Sequence, residues 1–326
     1  MNWVAIRHWL EYAVFRVLVC IVQAMTWKQS VAFARGLAYI FTFVLPRRLT
    51  RYAVAEENLR HAFPEEMTDQ KIEQTIYNMW LHLFRMVAEI IQAPRKMRLE
   101  NCYEYMTFPQ SAWAVRTACS GRPVILLGGH FGNWEIGNFS FGMFDFPMAA
   151  VARDLDNPYL HNWFTRFRRS TGHALISKEG GSTEMTQYME KKGILGLLGD
   201  QAAGRKGILV DFFGRPVSTM KSIALLAMQY DAVLMVAYTR RLEDDFLNGK
   251  WSRFEVGMTD LIDPRDYQGT DAIEQITQRY TTALETAIRK SPEQYFWVHR
   301  RWKIEISRRE KKKRLKAEMS KQTEAA

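Results

Sequence analysis

From residue 121 onward, short apolar runs alternate with helix-patterned stretches, and this alternation limits the chain to few architectures. Residues 123–127, 147–151, 174–177, 193–198 and 232–238 read as buried strands, and 251–258 as an outer strand. Between them a helix is predicted to begin near Asn133, and further helices over 158–170, 183–192, 219–230 (capped by Ser218 or Thr219) and 271–290, with Pro292 opening a last one. Strands alternating with helices predict an α/β domain with a central mixed sheet flanked by helices. Ahead of it, residues 58–98 read as helical. Ile72, Ile76, Met79, Trp80, Leu83, Val87 and Ile90 recur there at three- and four-residue steps after a Thr68 or Asp69 cap.

Residues 12–27 are apolar except for Arg16, Gln23 and Thr26, and residues 31–45 repeat the pattern with Arg35 and Thr42. Neither is a clean apolar run of about 20 residues. Neither looks like a cleavable leader, because Glu11 and Arg16 fall in the wrong places. Three readings stay open: a tilted span over residues 10–27 with Arg16 snorkelling, two helices lying in a membrane interface, or two helices of a soluble domain. Trp3, Trp9 and Trp27, with Lys28, Arg47 and Arg48 nearby, favour membrane contact, since indole rings settle at bilayer interfaces. The expected organisation is a membrane-associated helical segment over 1–48, a main domain over 49–306 and a basic tail over 307–326.

The 326-residue chain carries a formal charge of +10, part of it in Arg308, Arg309, Lys311, Lys312, Lys313, Arg314, Lys316 and Lys321. Such a surface suits an anionic partner, whether bilayer, acidic protein or nucleic acid. The three cysteines, Cys20, Cys102 and Cys119, have no metal-binding spacing and make a disulfide framework implausible, which fits a reducing compartment. With no metal or nucleotide signature, no cofactor is expected.

The segment Gly128-Gly129-His130-Phe131-Gly132-Asn133-Trp134-Glu135 follows a buried strand, where sheets of this kind place ligands. An alcohol becomes a useful nucleophile when a neutral imidazole takes its proton, and a carboxylate on the other ring nitrogen fixes the tautomer. His130 in the loop and Glu135 in the first helical turn can form that pair, and the glycines permit the tight path. The nucleophile would then be a substrate hydroxyl. Backbone amides of residues 129–132 would hold the oxyanion of an attacked thioester.

These residues resemble the signature of the lipid A late acyltransferases, relatives of the glycerolipid acyltransferases. So do Asn58-Leu59-Arg60-His61-Ala62-Phe63-Pro64-Glu65, Val151-Ala152-Arg153 with Asn157-Pro158, Arg169 with Gly172, and Gly199-Asp200-Gln201. Val210 to Pro216 and the closing Pro292-Glu293-Gln294-Tyr295 with Trp297, His299, Arg300, Arg301 and Trp302 extend the likeness over nearly the whole chain. The resemblance implies a glycerolipid-acyltransferase-like fold at the cytoplasmic side of a bacterial inner membrane. It also implies acyl transfer from acyl carrier protein or acyl-CoA, as co-substrate, to a hydroxyl of a lipid A precursor or similar glycolipid. Lysophospholipid, phosphatidylinositol mannoside-like and aminolipid acceptors are alternatives. It implies His130 and Glu135 as the catalytic pair. Gly129, Asn133, Arg153, Arg169 and Asp200 are the expected substrate contacts, with a turn or capping role equally open for Asp200. Arg166 and Arg168 read equally as a basic surface, and His299 to Arg301 as a weaker phosphate or carrier contact. His61, His82, His161 and His173 read as structural or surface residues. A basic membrane-bound nucleic-acid or scaffold protein would explain the charge but not the strand–glycine–His–helix arrangement.

Overall fold

The computed structural model describes residues 3–146, 148–243 and 250–302. The helical N-terminal part comprises α1 (Trp3–Ala24), α2 (Trp27–Tyr39), a π-turn (Ile40–Val44), α3 (Tyr52–Ala62) and α4 (Asp69–Lys96). The rest runs α5 (Cys102–Tyr105), β1 (Met106–Thr107), α6 (Ser111–Ala118), β2 (Val124–Gly128), α7 (Trp134–Met143), β3 (Met148–Ala152), α8 (Pro158–Arg169), β4 (Ala174–Ser177), α9 (Ser182–Glu190) and β5 (Ile194–Leu198). It closes with β6 (Ile208–Phe212), β7 (Arg215–Thr219), α10 (Ser222–Gln229), β8 (Val233–Arg241), β9 (Phe254–Ile262) and α11 (Ala272–Lys290).

A seven-stranded sheet in the order β1-β9-β8-β2-β5-β3-β4 forms the centre. The run from β8 to β4 is parallel, and β9 turns back antiparallel to β8, so the sheet is mixed as predicted. β2 is buried nearly throughout and its sequence is continuously apolar, as expected for a central parallel strand with both faces covered. Ile125, Leu127, Leu195 and Leu234 pack beneath Ile223, Tyr280 and Leu284 of the helices α10 and α11. Val124, Leu126, Ile194 and Met235 face the other way, toward Ala114, Phe141 and Phe146.

The predicted 58–98 helix is two helices. Pro64 follows the end of α3, and the chain restarts at Thr68, whose hydroxyl accepts from the Lys71 amide at 3.4 Å. A proline ring disfavours helix in the residue before it, which explains the break. Ile72, Ile76, Met79 and Ile90 are buried, whereas Val87 is exposed. The helix expected from residue 219 starts at Ser222, because Ser218 and Thr219 belong to the β6–β7 hairpin, which the sequence reading missed. Pro292 opens only a 3₁₀ turn, after which the chain runs alongside the residue-130 loop.

Residues 3–48 share a core with the rest: Val19, Val22, Trp27 and Val31 pack with Met86, Ile90, Phe139 and Phe167. Gln92 ties α4 to the α1–α2 corner, donating to Val22 O at 2.9 Å and Ser30 Oγ at 3.1 Å. Thr26 caps α2 in a reciprocal pair with Gln29, which separates α1 from α2. The outward face of α1 carries Trp3 (74% exposed), Leu10, Val14 (70%), Val17 and Ile21. No helix among the described residues is long and apolar enough to cross a membrane, so the tilted-span reading of residues 10–27 is not met. The basic tail lies outside the described residues.

Candidate active site

The parallel register of β2 and β5 builds the site. Val124 pairs with Ile194 and Gly128 with Leu198, and the same 70-residue offset carries past the strand ends to bring His130 beside Asp200. Asp200 takes both ends of the histidine: its Oδ2 accepts from the His130 amide at 2.7 Å, and its Oδ1 lies 2.8 Å from Nδ1. A carboxylate only accepts, so Nδ1 carries the proton and Nε2 presents its lone pair. Gly129 makes room: a Cβ there would sit 3.3 Å from the Asp200 carboxyl carbon. Gln201 Nε2 lies 3.4 Å from His130 Nε2.

This corrects the predicted pairing of His130 with Glu135. Glu135 stands in the first turn of α7 and is gripped by Arg168 of α8, with Nη2 to Oε1 at 2.6 Å and Nε to Oε2 at 3.1 Å. The helix turns its side chain toward α8, while the strand register delivers a nearer carboxylate to the ring. Both His130 and Glu135 still line one cavity.

Two electrostatic consequences follow. Burial opposes a charge on His130, but the Asp200 and Glu135 carboxylates outweigh it and raise the imidazole pKa above its ordinary value. Burial pushes Asp200 up, but His130 and then Arg301 more than reverse this, and its pKa falls below the usual carboxylate range. Tyr295, buried behind this pair, is held well above an ordinary phenol by burial and then by the Asp200 charge.

The loop is clamped from three sides. Phe296 N donates to His130 O at 3.0 Å, and Gly132 N to Gln294 O at 2.9 Å. Gly132 has φ +63°, and Asn133 N donates to Thr239 O at 2.8 Å. A Cβ on Gly132 would lie 1.9 Å from that same Thr239 oxygen. Gly132→Ala is therefore expected to displace the loop and to lose more than about 2 kcal/mol of stability together with activity, measured by thermal melts beside an acyl-transfer assay.

Beneath the loop lies a buried ionic network. Glu89 of α4, 0% exposed, accepts from Arg241 Nε at 2.6 Å and Nη2 at 2.7 Å, from Ser252 Oγ at 2.6 Å and from Asn133 Nδ2 at 2.8 Å. His82 bridges Arg241 (2.6 Å) to Gly132 O (3.1 Å), and burial followed by the Arg241 charge holds its pKa well down. Asn133 is thus committed to Glu89 and to capping α7 through Ile136 N at 3.1 Å. It is fully buried, which corrects its expected substrate contact.

Of the other expected contacts, Gly129 and Arg153 line the cavity, Arg153 at its rim with its side chain 71% exposed. Arg169 is exposed at the end of α8 and outside the cavity wall, and its neighbour Arg168 reaches the site instead. Arg301, expected as a weak phosphate or carrier contact, is 2% exposed and donates to Ser218 O at 2.8 Å and Thr219 Oγ1 at 2.7 Å, tying down the hairpin. His82 and His173 have buried structural partners, as expected.

The cavity is about 590 Å³ and opens beside His130. Its walls are mostly apolar, including Leu126, Phe141, Ala150, Leu198, Met220 and Ile223, with Arg153, Lys178 and Arg168 as cations. This combination suits a ligand with a hydrocarbon part and an anionic part. A second apolar cavity of about 220 Å³ shares Phe141, Ala237 and Val256 with the first.

Residues 2–304 match the family model of bacterial lipid A biosynthesis acyltransferases. The chain belongs to that family. This acyltransferase is 22% identical over 251 residues to a lipid A biosynthesis acyltransferase of Haemophilus influenzae, covering 75% of this chain and 73% of the relative. It is 26% identical over 260 residues to the lipid A biosynthesis palmitoleoyltransferase of Escherichia coli, covering 78% and 79%. A phosphatidylinositol mannoside acyltransferase of Mycobacterium tuberculosis is 25% identical over 120 residues, covering 36% of this chain and 38% of the relative. In the acyltransferase, Asp200 and Gln201 thus stand against the imidazole.

Proposed function

We propose that this acyltransferase moves a fatty acyl chain from a thioester of acyl carrier protein or CoA to a hydroxyl of a lipid A precursor or similar membrane glycolipid. His130 serves as general base. The observation that carries this reading is His130 itself: Nδ1 is tied to Asp200, so Nε2 keeps the lone pair that takes a proton, beside Gln201 in an apolar-walled cavity. The acceptor O–H gives its proton to Nε2 as its oxygen bonds to the thioester carbon. The tetrahedral oxyanion then collapses, the C–S bond breaks, and the departing thiolate takes the proton back from Nε2. The imidazolium formed midway is the species that Asp200 stabilises. Arg168 holds Glu135, so the cavity wall keeps a fixed charge beside the ring. Arg153 and Lys178 at the cavity would meet an anionic headgroup or an acidic carrier.

The apolar outer stripe of α1 would lie in the headgroup region of the inner membrane, with the site open to the cytoplasm. The three cysteines are free among the described residues, which suits a reducing compartment.

His130→Ala is expected to abolish acyl transfer in membranes supplied with acyl thioester, at wild-type protein level. Lipid profiling of cells with and without the gene should show a glycolipid one acyl chain short. Full activity of the variant rejects the base. A second acceptor class, phosphatidylinositol mannoside-like lipids, is favoured by the mycobacterial relative, and the same lipid profile distinguishes it.

A further inference from the structure

The predicted oxyanion donors were the backbone amides of residues 129–132, and the structure commits two of them elsewhere. The His130 amide is spent on Asp200 at 2.7 Å and the Gly132 amide on Gln294 O at 2.9 Å. The next amide, Asn133, is spent on Thr239 O at 2.8 Å. These bonds hold the loop in place, so turning the amides toward substrate would release the histidine from its clamp. With these amides spent, the mostly apolar-walled cavity calls for a further donor to the charge that develops on the thioester oxygen.

Among the described residues, Gln201 places a side-chain donor within hydrogen-bond distance of Nε2, at 3.4 Å. The reacting hydroxyl must bind at that same nitrogen, since only Nε2 is free to accept its proton. The lone pair accommodates one donor, so an arriving hydroxyl displaces the Gln201 amide by a small rotation. In the tetrahedral intermediate the oxyanion lies two bonds from the attacking oxygen, within reach of a side-chain N–H that stays beside Nε2. Gln201 directly follows Asp200, which is anchored by two bonds to His130, so donor and base are fixed in one frame.

We infer that Gln201 is a catalytic residue of this acyltransferase, its side-chain N–H holding the oxyanion formed on the thioester carbonyl. The inference rests on the proposed role of His130. In the resting enzyme the amide covers Nε2; in the transition state it moves to the oxyanion while Nε2 holds the hydroxyl proton. The carboxamide is neutral, so it does not repel the imidazolium formed in the same step.

The test compares Gln201→Met, close in shape but unable to donate, and Gln201→Glu with wild type, His130→Ala and Lys178→Met, using purified enzyme in micelles with an acyl thioester and the glycolipid acceptor. Loss of one such donor is expected to lower kcat about 10²–10³-fold in Gln201→Met. KM for both substrates should change by less than about threefold, because the interaction exists only in the transition state. Gln201→Glu should lose at least as much, since its charge opposes the oxyanion. Melting temperatures within about 3 °C of wild type show that the fold is kept. Unchanged or raised kcat in Gln201→Met means that the amide only covers the base, and overturns the inference. So does a raised KM with intact kcat, or a large kcat loss in Lys178→Met with Gln201→Met near wild type. Activity in His130→Ala would instead reject the underlying reading of the site.

Discussion

Asp200→Asn is expected to lower kcat by about 10⁴-fold without unfolding the protein, the size of loss seen when a carboxylate that sets a histidine tautomer is neutralised. In the wild type the carboxylate accepts from Nδ1 at 2.8 Å, leaving Nε2 unprotonated. An asparagine can turn its NH₂ toward Nδ1, which moves the ring proton to Nε2 and removes the base. The pH dependence carries the sign. The working form of His130 is neutral, and Asp200 and Glu135 together raise its pKa against burial. Wild-type kcat should therefore rise with pH through an inflection above about 6.5, the unperturbed histidine value. Without the Asp200 charge, burial dominates and the inflection should move to lower pH. Glu135→Gln should also lose activity, because Arg168 is left without its partner, but the tautomer is kept and the inflection should move less. kcat measured from mildly acidic to mildly alkaline pH separates the two. If Asp200→Asn keeps most of its activity while Glu135→Gln shifts the inflection strongly, Glu135 is the working partner of the ring.

The largest stability effect is expected away from the cavity, at Glu89→Ala. Glu89 receives four hydrogen bonds, two of them from Arg241. A buried ion pair gains little over an apolar replacement, because both charges lose their water. Removing one partner, however, strands the other charge, which costs about 3–5 kcal/mol. Arg241 would be left buried, its guanidinium bonded to Nδ1 of the neutral His82 and, more weakly, to the His82 carbonyl. For a domain of this size the loss corresponds to a fall in Tm of roughly 10 °C. The same substitution frees Asn133 and so loosens the helix cap and the residue-130 loop, so kcat should fall in the fraction that stays folded. Glu56→Ala, which breaks an exposed pair with Arg60, should cost no more than about 1 kcal/mol. Thermal and urea melts of both variants test the contrast. A Glu89→Ala protein as stable as Glu56→Ala would show that the network is not a structural keystone.

Much of this molecule was legible in the chain because it depends on neighbours in sequence. Continuous apolar runs gave β2 to β5, and the run expected at 174–177 coincides with β4. Asn133 and Thr68 mark helix starts because their side chains satisfy amides only three residues ahead. The position of His130 after a buried strand followed from the same local pattern. A further signal was available and overlooked: His82, Arg85, Glu89 and Gln92 fall on the apolar stripe of α4, where a polar group must find buried partners.

What sequence order could not supply was pairing across distance. Glu135, five residues from His130, was the nearest carboxylate along the chain, but an α-helix directs its side chain to Arg168. Asp200, seventy positions away, stands beside the ring because parallel strands hold a constant offset past their last hydrogen bond. The chain alone thus determined an α/β sheet, a glycine-bounded histidine and the helix caps, all set by short-range sterics and hydrogen bonding. The tertiary structure decided which carboxylate meets the imidazole, which arginine meets Glu135 and which loop amides are already spent, because strand register and buried charge pairing are fixed only when distant segments close on one another.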